Sequence, residues 1–257
     1  MPGEITYSES ELKTVLACSR LYNLGGSINN YDSSQKFLRY AFHKFILKVL
    51  KKDIDDIDQA INYCVNLAFN RFYSKDAFLQ EQILKIKSYA FSFIHFFIEN
   101  FSLKNFNIIS GPVRGSLEYE HATVTFGLDA IFNANKRKAQ LHAICFLPYT
   151  DDHILSSDIG LRIKADYLRK FANSTFYSSK NSAVTLHIFS SYKFNYYKSK
   201  TKTFRYRYTQ LQYEEIPPHN INEYIEVANR LRSVNFALPV CQHLKCYKRK
   251  ECVTNNG

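Results

Sequence analysis

The chain is predicted to adopt an α/β fold, with a block of helices inserted ahead of the main group of strands. Three observations carry this. Up to about residue 105, apolar residues recur mostly at helical spacing. At Gly111-Pro112-Val113-Arg114-Gly115 the pattern switches to strand-like alternation. A helix, a strand pair and a last helix then follow.

Near the N-terminus, Ser8 to Tyr22 is expected to be a helix, because Ser8 can cap it and Glu11, three residues on, completes a capping box. Asp32 to Lys52 places Phe37, Leu38, Phe42, Phe45, Ile46 and Leu50 at helical intervals. Asp55 to Phe101 is long enough for two or three helices rich in Phe and Ile. Leu117 to Asn133 alternates as strands do, and Asn133 to Lys138 supplies a hairpin turn. In the strand Ala139 to Leu147, residues 143–147 are apolar in a row, as in a strand covered on both faces. Ser157 to Phe171 returns to helix. Ala183 to Tyr197 and Thr201 to Tyr213 form a strand pair, and Asn220 to Val234 is the final helix. There is neither an internal repeat nor a low-complexity linker. One α/β domain with a helical insertion between residues 32 and about 105 is therefore expected.

The 257 residues suffice for a sizeable core. A formal net charge of +11 suits a polyanionic partner. The N-terminus is polar and lacks the apolar core of a secretory signal, and the apolar run Tyr89 to Ile98 is too short to span a bilayer. A cytoplasmic protein that does not enter a membrane is the expectation. In that setting clustered cysteines indicate metal more often than disulfide.

Three cysteines, Cys241, Cys246 and Cys252, lie in the last 17 residues, and Cys18 lies near the opposite end. Four thiolates are what an iron–sulfur cluster or a structural zinc requires. A centre shared by all four would tie the two ends of the chain together. Cys64 reads instead as a small apolar residue buried in a helix.

Several segments, in order, resemble the iron–sulfur branch of the RecB-type PD-(D/E)XK nucleases, which includes CRISPR-adaptation RecB-like exonucleases and the nuclease domain of AddB. Tyr7 to Leu12 through Ala17-Cys18-Ser19-Arg20-Leu21-Tyr22 resembles the opening helix with its cysteine. His43 falls where those nucleases often carry a metal-binding histidine on a helix. Leu117 to Glu120, followed by Gly127-Leu128-Asp129, resembles the strand pair whose aspartate holds the catalytic metal. Asn235 to Cys252 resembles the terminal cysteine run. The resemblance implies a restriction-endonuclease-like core, a central mixed β-sheet flanked by helices, at about 111–215. It also implies a cysteine knot at 219–252 joined to Cys18, and a cluster of the 4Fe-4S type, with zinc as the alternative. The spacing of Cys246 and Cys252 fits, whereas four residues between Cys241 and Cys246 exceed the usual two.

The chain departs from the family on the next strand. There the family carries an acid and a lysine, in the pattern (D/E)-x-K, to complete the metal site and orient water. Here Cys145 and Leu147 occupy those places, or Gln140 and His142 in a shifted register. On the following helix Tyr167 is present, but Ile163 stands where glutamine is usual. The expectation is therefore a nuclease fold that binds DNA after losing its chemistry. It would act as a subunit of a DNA-processing, recombination or defence complex beside a helicase, a nuclease or another protein. Two alternatives stand beside it. One is an active Mg²⁺- or Mn²⁺-dependent exonuclease using His43, Glu118 and Asp129; the other is a protein-interaction scaffold. His142, Cys145, His95 and His187 read as structural residues.

Between Tyr192 and Tyr208, Lys193, Lys198, Lys200, Lys202, Arg205 and Arg207 interleave with seven aromatic residues. As a β-hairpin this segment would set charges against phosphates and rings against bases.

Overall fold

The computed structural model describes residues 5–23, 33–73, 80–100, 107–133, 140–147, 158–175, 183–191 and 206–233. It is a mixed α/β structure in which two mixed sheets are flanked by helices. The strands are β1 (Thr6–Ser8), β2 (Asn107–Ser110), β3 (Val113–Tyr119), β4 (Ala122–Leu128), β5 (Ala130–Asn133), β6 (Gln140–Leu147), β7 (Ala183–Ser191) and β8 (Tyr206–Gln212). The helices are α1 (Glu9–Ala17), α2 (Ser19–Asn23), α3 (Ser33–Leu50), α4 (Ile57–Tyr73), α5 (Gln80–Asn100), α6 (Ile159–Thr175) and α7 (Ile221–Arg232).

The smaller sheet has the order β1-β4-β3, with β1 parallel and β3 antiparallel to β4. The larger has the order β2-β5-β6-β7-β8; β6 and β7 are parallel and the other pairs antiparallel. Both faces of the larger sheet are covered, and this explains the unbroken apolar run of β6. Leu141, Ala143, Cys145 and Leu147 face a core shared with α1, α6, α7 and the smaller sheet. Ile144 and Phe146 face a second core built with α3, α4 and α5. The helical insertion therefore packs on the sheet: Phe42 of α3 meets Phe146 at 5.5 Å between ring centroids, and Phe93 of α5 meets Phe189 edge-on at 5.1 Å.

Most predicted helices and strands recur with shifted ends. The capping box is formed: Ser8 Oγ accepts from the Glu11 amide at 3.1 Å, and Glu11 Oε2 accepts from the Ser8 amide at 2.7 Å. The expected single helix to Tyr22 breaks at Cys18, which is extended (φ −164°, ψ 96°) while its amide donates to Thr14 O at 2.8 Å. The stretch 55–101 divides into α4 and α5. Strands β1 and β2, three and four residues long, gave no periodic signal in the sequence. Among the described residues, no helix is long and apolar enough to cross a membrane.

Candidate functional site

Asp129 is the single residue between β4 and β5, where the chain crosses from one sheet to the other. Its amide donates to Ile144 O at 2.9 Å, which pins it beside β6. Its side chain is 1% exposed. Oδ2 accepts from the Phe146 amide at 2.8 Å. Oδ1 accepts from Arg39 Nε at 2.5 Å and lies 2.6 Å from His43 Nε2. Arg39 and His43 are four residues apart, hence on one face of α3, and they reach the carboxylate together. Burial alone would raise the Asp129 pKa. Arg39, His43 and the Phe146 amide outweigh it and hold the carboxyl below its ordinary range. An ionised carboxylate only accepts, so His43 Nε2 bears hydrogen.

A second charged cluster joins α1 to α6. Glu9 opens α1, where the helix dipole favours a carboxylate. It pairs with Lys13 at 2.6 Å and with Lys164 of α6. Lys13 also meets Asp158 at 2.5 Å. Asp158 in turn accepts from the Gly160 amide at 2.8 Å at the start of α6. Gly160 permits this closeness, since a Cβ there would overlap the Glu9 carboxylate and come within 2.6 Å of Lys13 Nζ. Burial pushes Glu9 up, but Lys164 and Lys13 prevail and bring it down to about 2. Burial pushes Lys164 down, but Glu9 and other negative neighbours carry it above the ordinary lysine value.

Between the two clusters lies a cleft of about 410 Å³, bordered by Ser8, Glu9, Ser10, Arg39, Arg114, Thr125, Phe146, Leu147 and Lys164, among others. Its charged lining is three cations against one carboxylate. Burial pushes the Cys145 thiol, which feels the charges of Lys164, Asp129, Glu9 and Arg39, up to about 12. It therefore stays protonated and is neither a nucleophile nor a metal-binding thiolate at neutral pH.

The candidate residues read from the sequence fare differently. His43 and Asp129 meet. Glu118 does not join them: on β3 it alternates outward from buried Leu117 and is exposed. It pairs with Thr123, whereas Asp129 follows Leu128 beyond the other end of β4, about 20 Å along the strand. His142 is remote from the clefted end of β6; its Nδ1 lies 2.8 Å from His187 Nε2, whose ring also meets Tyr208 OH at 2.8 Å. Burial lowers both imidazole pKa values, that of His187 to about 3. Ile163 is fully buried, and Tyr167 packs edge-on against Phe126 at 5.1 Å. Cys64 is fully buried. Cys18 is half-buried at the α1–α2 junction; Cys241, Cys246 and Cys252 lie outside the described residues. So do Lys193, Lys198, Lys200, Lys202 and Arg205, while Arg207 is placed in β8 opposite Ser190.

Sequence reasoning did not single out Glu9, Lys13, Arg39, Arg114, Asp158 or Lys164 as site residues. Arg39 carried a usable signal, lying one turn before His43. Lys164 carried another, as a cation inside the apolar pattern of a helix.

The set His43, Glu118 and Asp129 does not fit a Mg²⁺ or Mn²⁺ ion. Such ions take several oxygen ligands. Here Glu118 is distant, and the Asp129 oxygens already accept from Arg39, His43 and Phe146. Among the described residues, no group of three or more His, Cys, Asp or Glu side chains could hold a metal ion. No protein-family model matches the chain, and no curated protein matches it.

Proposed function

We propose that this chain is a catalytically degenerate, nuclease-like protein that binds DNA without cutting it, as a subunit of a DNA-processing, recombination or defence assembly. The observation that carries the proposal is the state of the two buried carboxylates. Asp129, to which the nuclease resemblance would assign a metal, is engaged by Arg39 and His43, and Glu9 by Lys13 and Lys164, so protein cations already occupy both carboxylates. Such a cleft offers cations to a phosphate and, among the described residues, no set of ligands for a water-activating metal.

The position of the cleft supports the same reading. Leu147, at its border, pairs with Ser190, and Ser190 pairs with Arg207. Arg207 thus lies two strands, about 10 Å, from the cleft, at the same end of the larger sheet. A phosphodiester strand leaving the cleft would pass it.

A cluster held by Cys18, Cys241, Cys246 and Cys252 belongs to this proposal. Helix α7 packs on α1 and α2 and ends beside β1, with Asn229 accepting from Tyr7 OH at 2.7 Å and the Arg232 guanidinium 6.0 Å from the Tyr7 ring. The last described helix thus packs on the α1–α2 pair whose junction holds Cys18, which supports this part of the proposal. When bound, a metal centre there would convert its binding energy into folding energy, on the order of 10 kcal/mol for a structural metal.

The test is incubation with Mn²⁺ and labelled single- and double-stranded DNA. A salt-sensitive complex without degradation is expected. Degradation that disappears in Asp129→Ala would overturn the proposal. Iron and zinc analysis of anaerobically purified protein tests the metal centre separately; neither metal bound, or equal loading after Cys18→Ser, would remove it.

A further inference from the structure

Helix α3 contains Lys36, Arg39, Lys44 and Lys48 and no acidic residue. Its inner face is spent on Phe37, Leu38, Ala41, Phe42, Phe45 and Ile46, all buried. On the outer face Lys36, Tyr40 and Lys44 follow at four-residue spacing, about 6 Å of rise per step, and so form one row. Arg39, which borders the cleft, lies next to that row.

Lys44 of this row and Arg71 of the neighbouring α4 are held by rings, while Lys36 is exposed. Lys44 Nζ stands 5.3 Å from the centroid of Tyr40, and the Arg71 guanidinium of α4 stands 4.9 Å from the same ring and 5.8 Å from Phe72. Tyr40 and Phe72 meet edge to face at 5.8 Å. Among the described residues, no carboxylate forms an ion pair with Lys36, Lys44 or Arg71. A ring orients a cation without neutralising it, so the charge remains available to an external anion. One turn further the character reverses. Lys48 is paired with Asp53 at 2.7 Å, and Asp53, Asp55, Asp56 and Asp58 are all exposed. Lys36 and Lys44, the α3 lysines without a carboxylate partner among the described residues, thus lie on the turns around cleft-lining Arg39.

We propose that Lys36, Tyr40, Lys44 and Arg71 form a second nucleic-acid contact, which carries the sugar-phosphate backbone out of the cleft past Arg39 and along α3. This rests on the DNA-binding reading above and adds a surface distinct from residues 193–207. Phosphates are the partner because Lys44 and Arg71 are oriented by rings, because Lys36, Lys44 and Arg71 form no ion pair with acids among the described residues, and because the row adjoins cleft-lining Arg39.

The test measures affinity of the full chain for labelled single- and double-stranded oligonucleotides of mixed sequence across a salt series. In Lys36→Gln/Lys44→Gln/Arg71→Gln the slope of log affinity against log salt should fall by about 2–3, since each cation neutralises one phosphate. An equal-charge control, Lys85→Gln/Lys170→Gln/Arg230→Gln, removes exposed cations of α5, α6 and α7 and should leave the slope nearly unchanged. Equal losses in the two variants would mean that only net charge matters and would overturn the inference. An unchanged slope in the first variant would also overturn it, while binding by the unaltered chain left the DNA-binding reading intact. Absence of binding by the unaltered chain would end both. Should circular dichroism show the triple variant misfolded, Lys36→Glu, at an exposed position, gives the same readout with a smaller expected change.

Discussion

Replacing Lys164 with methionine would leave the Glu9 carboxylate buried with only Lys13 beside it. The Lys164 and Glu9 side chains are 5% and 12% exposed, so water screens their pairing little. Together the two lysines overcome burial and bring the Glu9 pKa from 4.5 to about 2. At about 1.4 kcal/mol per tenfold change in acidity, this corresponds to roughly 3 kcal/mol of stability at neutral pH. Lys13 would retain part of it, so Lys164→Met should cost about 2–3 kcal/mol in urea unfolding at pH 7. The sign of the pH dependence follows from the depressed value. The Glu9 contribution is complete above about pH 4.5 and disappears as pH falls through about 2. By pH 3 roughly half of it is gone, and the gap between variant and parent should shrink accordingly. Adding Glu9→Gln to Lys164→Met removes the unpaired charge and should recover much of the loss. A cost below about 1 kcal/mol at pH 7, or the same cost at pH 7 and pH 3, would refute the account of this pair.

Asp129→Asn keeps the shape but removes the charge that faces Arg39 and His43, and should lower denaturant stability by about 2–4 kcal/mol. Because the Asp129 pKa is depressed, its contribution holds at neutral pH and fades as pH falls below the ordinary carboxylate range, so parent and Asp129→Asn should converge in acid melts. Gly115→Ala would set a methyl 2.6 Å from Phe126 Cζ and 3.3 Å from Tyr167, and thermal melting should register about 1–3 kcal/mol of overpacking. Phe42→Ala empties a fully buried site among Phe93, Phe97 and Phe146, and should cost about 3–5 kcal/mol in guanidinium unfolding.

Short-range signals along the chain were enough for the local elements. Ser8 and Glu11 satisfy each other's amides within one turn, so the start of α1 was legible. The row from Phe37 to Leu50 dictated an amphipathic helix, and the apolar run 143–147 dictated a strand covered on both sides. Each signal acts over a few residues, through hydrogen bonds and burial that the chain forms with its near neighbours. The position of Glu118 was also readable in principle, since period-two alternation sends it outward from Leu117. Which charges meet was settled by the assembled fold alone. Asp129 lies 90 residues from Arg39 and 86 from His43, and Glu9 lies 155 from Lys164. No local propensity links such positions. They meet because α3 packs on one face of the larger sheet while α1 and α6 pack on the other, and burial then penalises any charge left without a partner.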